Sequence, residues 1–149
     1  MDTVPSKLRD KLGIAISQQA YKSYRDLLET DRWQRLAAHG ARPKRLLFAS
    51  TGTKDPQASD VLYIGALAAP NTVNTMPEET LLAFDAHGRV ERTLPRDGGD
   101  GDETVAAYGR AGIDVAALAS QLQMQGAKSF DDSWQDLLEA IGTKSQALA

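Results

Sequence analysis

Cysteine is absent from this sequence, which rules out disulfides, thiolate metal sites and a cysteine nucleophile. Histidine is scarce, with two residues in the chain. His39 and His87 each precede a glycine, Gly40 and Gly88, at what read as helix C-termini. An imidazole there interacts favourably with the helix dipole, and this generic placement is preferred over a ligand or base role. No metal site is expected. No apolar run approaches the ~18 residues of a membrane span. The polar start "MDTVPSKLRDKLG" does not read as a secretory signal, so a cytoplasmic protein is expected. An excess of positive charge is also missing: 17 Lys and Arg stand against 20 Asp and Glu, net −3. The densest basic cluster, Arg42-Pro43-Lys44-Arg45, covers four positions. Neither nucleic acid nor an anionic membrane is therefore an expected partner.

What is present is the composition of an ordinary globular domain, 42% hydrophobic and 25% charged, and 149 residues read as one region large enough to bury a core. Residues 13–17, "GIAIS", read as a short buried strand. Ala20, Tyr21, Tyr24, Leu27 and Leu28 then recur at helical spacing. Thr30-Asp31 can cap a further helix closed by Gly40. Residues 45–50, "RLLFAS", read as a second strand, and their near-continuous apolar character suits a parallel sheet covered on both faces. Residues 60–69 read as a helix ended by Pro70, and 73–76 as a third strand. Pro77 opens a helix with Glu78 and Glu79 in its first turn and Gly88 at its end. The acids of "DGGDGDE", 97–103, fail the EF-hand spacing because Asp102 stands where the glycine belongs, which leaves a solvated loop. The tail reads as two helices, "DVAALASQLQMQG" and "DDSWQDLLEAIG", the second capped by Asp131 or Asp132. Strands alternating with helices point to an α/β fold with parallel strands. Three strands make a thin sheet for a complete fold of that class.

The stretch "LLFASTGTK" carries the chemistry. In parallel α/β folds, sites gather at the carboxyl ends of the strands, and Ser50, Thr51, Gly52, Thr53 and Lys54 follow such a strand. The hydroxyls are donors, Gly52 lets backbone approach a ligand, and Lys54 is a cation. That set suits an anionic group such as a sugar phosphate. It is not a Walker loop, because the upstream glycine and its spacing are missing. A hydroxyl-rich turn with a structural role only is the plainer reading of the same pattern.

"ARPKRLLFASTGTKDPQASDVLYI", followed by "APNTVNTMPEETLLAF", closely resembles the transaldolases of the longer bacterial and plant type, which also occur fused to phosphoglucose isomerase. The resemblance extends to "GIDVAALASQLQMQGAKSFDDSWQDLLEAI", similar to the family's closing helices, and to "KLGIAISQQAYKSY" near the start. Asp2-Thr3 resembles an Asp-Thr pair that follows a barrel strand there. The family is a (β/α)8 TIM barrel, which needs ~250 residues. The resemblance therefore implies that this chain is the carboxyl-terminal portion, strands six to eight with their helices.

The resemblance implies transfer of a dihydroxyacetone unit between sugar phosphates of the pentose phosphate pathway, with no cofactor. In that reaction a lysine on the fourth strand forms a Schiff base, assisted by acids on the first and third strands. All three positions fall upstream of Met1, so no catalytic residue is expected within the chain. A Schiff-base amine needs a depressed pKa, and nothing around Lys54 would tune it. Ser50 matches the family's phosphate-binding serine after strand seven. Gly52 falls where shorter members carry an arginine, with Lys54 as the substitute cation. The expected phosphate site is thus Ser50, Thr51, Gly52 and Lys54. Asn74 and Thr75, at the next strand end, are either further ligands or turn groups that satisfy the backbone. One departure is Ile16, where the longer type usually has asparagine. Two other readings remain: a non-catalytic sugar-phosphate-binding remnant, and a partner that completes a barrel with a separately encoded amino-terminal half. An open sheet exposes edges and an apolar face, so such a partner or self-association is expected.

Overall fold

The computed structural model describes residues 4–148. Asp2 and Thr3, which carried part of the resemblance, lie outside the described residues. By packing, the chain divides into two compact units, one ending at Ala111 and the other beginning at Gly112.

The first unit opens with a 3-10 turn, Ser6–Leu8, followed by α1 (Leu12–Glu29), α2 (Asp31–Ala38), β1 (Leu46–Phe48), α3 (Leu62–Ala66), β2 (Thr72–Asn74), α4 (Glu78–His87) and α5 (Gly101–Arg110). The strands β1 and β2 pair in parallel, with Leu46 opposite Thr72, Leu47 opposite Val73 and Phe48 opposite Asn74. Parallel neighbours need a crossover, and the segment holding α3 provides it. Tyr21 of α1, Phe48 of β1, Leu67 and Leu94 form the buried core, with Ile14, Tyr24, Leu46, Tyr63 and Ala69 packed around it. Most of the core side chains are large, which suits a small unit that must bury much area with few residues.

Several helix ends follow the expected local chemistry. The Thr30 hydroxyl accepts the Trp33 N–H at the start of α2, satisfying one of the orphan donors of the first turn. Gly40 takes φ of 90° beyond the end of that helix. Pro77 stands immediately before α4, with Glu78 and Glu79 in the first turn and His87 in the last.

The expected first strand, 13–17, instead lies in the first part of α1. An apolar run of five residues cannot distinguish a buried strand from helix by periodicity. Here the helical stripe extends backward from Tyr21 to the buried Ala15, while Ile16 lies 43% exposed. The described sheet therefore has two strands rather than three. Both strands are also shorter than the expected 45–50 and 73–76, and α3 occupies only the middle of the expected helix 60–69.

The glycine-rich stretch 97–103 differs as well. Its first half is a turn, and α5 starts at Gly101. A Cβ on Gly101 would lie 2.9 Å from the Ala15 carbonyl oxygen, and one on Gly98 3.1 Å from Lys22 Cβ. The glycines therefore let this segment close on the backbone of α1. Gln18 Nε2 donates to Asp100 (3.1 Å) and Gln19 Nε2 to Asp102 (2.7 Å), so two of the acids are tied to α1. At the other end of α5, the Tyr108 hydroxyl donates to the Leu8 carbonyl.

The second unit is one helix, α6 (Val115–Ala147), not two. Asp114 caps it by accepting the Ala117 N–H at 2.9 Å. Gly126 lies inside it, at a cost of about 1 kcal/mol relative to alanine, which a helix of 33 residues absorbs. Asp132, one of the two expected caps, instead pairs with Lys128 one turn earlier at 2.6 Å. No residue of α6 is buried. Among the described residues no helix is long and apolar enough to cross a membrane.

Candidate functional site

The carboxyl ends of β1 and β2 come together because the strands are parallel and in register. The chain leaving β1 passes through Ser50, whose φ of 55° lies in the left-handed region, uncommon for a residue with a Cβ. The segment is tied to the chain leaving β2. The Thr75 N–H donates to the Phe48 carbonyl at 2.9 Å, and the Thr51 N–H to the Thr75 carbonyl at 3.0 Å. Ser50 N–H donates to Thr75 Oγ1 at 3.2 Å. The Thr51 hydroxyl donates to Asn74 Oδ1 at 2.5 Å and also lies 3.1 Å from the Thr75 carbonyl. Thr51 is 6% exposed, so its polar groups face inward.

Gly52 follows, packed against the start of α4. A Cβ there would sit 3.1 Å from Pro77 Cγ and 3.4 Å from Thr80 Oγ1. Pro77 and the buried Thr80 are neighbours that the sequence pattern did not single out. The one available signal was that "NTMPEET" places a helix start directly after the β2 turn.

The structure thus brings Ser50, Thr51, Asn74 and Thr75 together by hydrogen bonds and sets Gly52 against α4. Lys54 is exposed and makes no ion pair among the described residues. Within the described residues the backbone N–H groups of Gly52, Thr53 and Lys54 donate to no protein acceptor. The Thr53 hydroxyl donates to the Asp60 carbonyl at 3.4 Å. Three consecutive amides without protein acceptors among the described residues follow a left-handed residue, with a hydroxyl at one end and an ammonium at the other. Backbone N–H groups and an ammonium are the kinds of donor that can hold an anion.

Both histidines are engaged at helix ends. His39 Nδ1 lies 2.8 Å from the Arg35 carbonyl, and His87 Nε2 lies 3.0 Å from Asp60 Oδ1. Among the described residues no group of three or more His, Cys, Asp or Glu could hold a metal ion. Burial raises the Tyr63 phenol above its ordinary 10.0, with smaller contributions from Asp10 and Tyr108. That tyrosine belongs to the core rather than to the turn.

Comparison with known proteins places the chain in a family. The family model described as Transaldolase/Fructose-6-phosphate aldolase matches residues 1–141. A transaldolase from Parafrankia sp. (strain EAN1pec) is 46% identical over 135 residues, which are 90% of this chain and 37% of the relative. The transaldolase of Mycolicibacterium smegmatis is 43% identical over 134 residues, 89% of this chain and 36% of the relative. That of Neisseria meningitidis serogroup A is 38% identical over 139 residues, 93% and 40%. The chain therefore spans well under half the length of these relatives. From the match along nearly its whole length, the chain belongs to the transaldolase/fructose-6-phosphate aldolase family, whose fold is the TIM barrel.

Proposed function

We propose that these residues are the carboxyl-terminal part of a transaldolase barrel and supply the phosphate end of its substrate site. The observation that carries the reading is the donor-rich turn of residues 50–54, which leaves one strand beside the end of its parallel neighbour. The family match gives that turn its context. Barrel enzymes bind phosphate with loops at the carboxyl ends of late strands, and a sugar phosphate is the substrate class that this reading implies. Ser50 Oγ, the free amides of Gly52 to Lys54 and Lys54 Nζ are the donors, while Thr51 holds the floor of the turn through its buried hydroxyl. The reaction is transfer of a dihydroxyacetone unit through a Schiff base on a lysine elsewhere in the barrel. No residue of this chain forms that adduct, and the protein works in the cytoplasm. A half-barrel leaves apolar surface that an amino-terminal half-barrel or a second copy covers.

The test has two parts. Borohydride reduction of the 149-residue chain with fructose 6-phosphate gives no covalent adduct, and a labelled lysine in this chain refutes the assignment of chemistry. Fused to the amino-terminal part of the Parafrankia relative, the chain restores transfer activity. In that fusion Lys54→Ala weakens sugar-phosphate binding by about 1.5–3 kcal/mol, the worth of a hydrogen bond to a charged group. The loss appears in KM, because substrate and transition state share the phosphate. An unchanged KM with a collapsed kcat would put Lys54 in the chemistry instead. Fructose 6-phosphate binding without activity in the fusion would favour a non-catalytic sugar-phosphate-binding protein.

A further inference from the structure

We infer that Thr51, Asn74 and Thr75 are positioning residues that clamp the β1 turn into its anion-binding shape. The inference rests on the phosphate-binding reading of the turn and deepens it. Ser50 carries a Cβ yet holds φ of 55°, a conformation that persists only where its surroundings over-determine it. Thr75 does so through both of its oxygens. Its Oγ1 accepts the Ser50 N–H at 3.2 Å and its carbonyl accepts the Thr51 N–H at 3.0 Å. Asn74 completes the clamp by accepting the Thr51 hydroxyl proton at 2.5 Å.

The clamp divides the donors of the turn into two sets. The N–H groups of Ser50 and Thr51 and the Thr51 hydroxyl are consumed in holding it to the end of β2. The amides of Gly52, Thr53 and Lys54 are left without protein acceptors among the described residues. Gly52 is in turn close enough to Pro77 that an added Cβ would lie 3.1 Å from Cγ, so the start of α4 packs directly against the segment. A turn held by these contacts presents its remaining donors without having to order them when the ligand arrives, which is the advantage of preorganisation. Asn74 and Thr75 thereby act on the ligand through the turn rather than by touching it.

The test uses the full chain, with inorganic phosphate and fructose 6-phosphate as probes. Thr51→Val keeps the branched shape and removes the hydroxyl, Thr75→Val removes only the acceptor for Ser50, and Thr51→Ser keeps the hydroxyl. Phosphate affinity falls about fivefold to tenfold in each valine variant, from the loss of one hydrogen bond, and returns in Thr51→Ser. Amide exchange at Ser50 and Thr51 speeds up in the valine variants, while the amides pairing β1 with β2 keep their protection. If Thr51→Val does not fold, Thr75→Val carries the same comparison. Wild-type binding with undiminished affinity in the valine variants overturns the clamp and leaves the phosphate reading standing. A wild-type chain that binds neither probe overturns the phosphate reading and the clamp's role with it.

Discussion

The unit ending at Ala111 and the helix α6 are built from similar residues and use them in opposite ways. In the first, Tyr21 is 2% exposed, and Phe48, Leu67 and Leu94 close around it. In α6, Phe130 is 80% exposed, Met124 68% and Trp134 57%. The first unit is held by burial, which stabilises by roughly 25 cal/mol for each Å² of apolar surface removed from water. The helix α6 has its cap, its backbone ladder and the i,i+4 pair of Lys128 with Asp132. Those are interactions that leave isolated helices marginal. Apolar residues alone therefore do not make a core; they need a second surface.

The largest expected difference follows from this contrast. Tyr21→Ala destabilises the chain by about 3–5 kcal/mol, as for other large buried aromatics, measured by urea unfolding. Phe130→Ala changes stability by less than about 0.5 kcal/mol, as for surface positions. If the two costs prove equal, Phe130 is buried in solution and the chain associates through α6. Sedimentation of the same variants would show that directly.

One substitution made in both regions sharpens the comparison because its sign reverses. Gly101→Ala forces a Cβ to within 2.9 Å of the Ala15 carbonyl oxygen and destabilises by about 1–3 kcal/mol, the usual cost of overpacking. Gly126→Ala meets nothing within 4 Å and stabilises α6 by about 0.5–1 kcal/mol through helix propensity. Thermal unfolding of both, followed by circular dichroism, reads the two signs. A loss at Gly126 would show a neighbour packed against α6 at that point.

The smallest effect is that of pH on the first unit. The Tyr63 phenol is raised above 10.0, chiefly by burial, so folding favours its protonated form. Its contribution to stability is whole below the unfolded pKa and is lost as pH rises through the higher folded value. A spectrophotometric titration shows Tyr63 ionising later than an exposed tyrosine, and Tyr63→Phe removes that late step. A Tyr63 that titrates at the ordinary value would show that the first unit opens around it.

Much of the local structure was legible from residue chemistry. Thr30 before a helical run, the two His-Gly endings and Pro77 before Glu78 and Glu79 each mark a helix boundary through a mechanism acting within a few residues. β1 was legible as a short apolar run and β2 as a brief strand near 73–76, and their parallel sense as part of an alternation with helices. Residues 13–17 were not, because the same apolar run satisfies strand and helix. Nor was the start of α5, where the glycines read as loop while their function is close approach to α1. In the candidate site, Ser50, Thr51, Gly52 and Lys54 stood out as a donor-rich cluster after a strand. The link from Asn74 and Thr75 to Thr51 spans 23 and 24 residues, and no local pattern encodes it.

The sequence by itself determined which residues can donate, accept, cap or turn, and through its family motifs it determined the kinship of the chain. Those properties reside in single side chains and short spacings. Only the tertiary structure decided which of those groups remain available. Thr51 spends its hydroxyl on Asn74, and the amides of Gly52 to Lys54 have no protein acceptor among the described residues, because a donor bonds only to the acceptors that folding brings within reach. Likewise, folding buries Tyr21 and leaves Phe130 in water, since burial belongs to a pair of surfaces rather than to a residue.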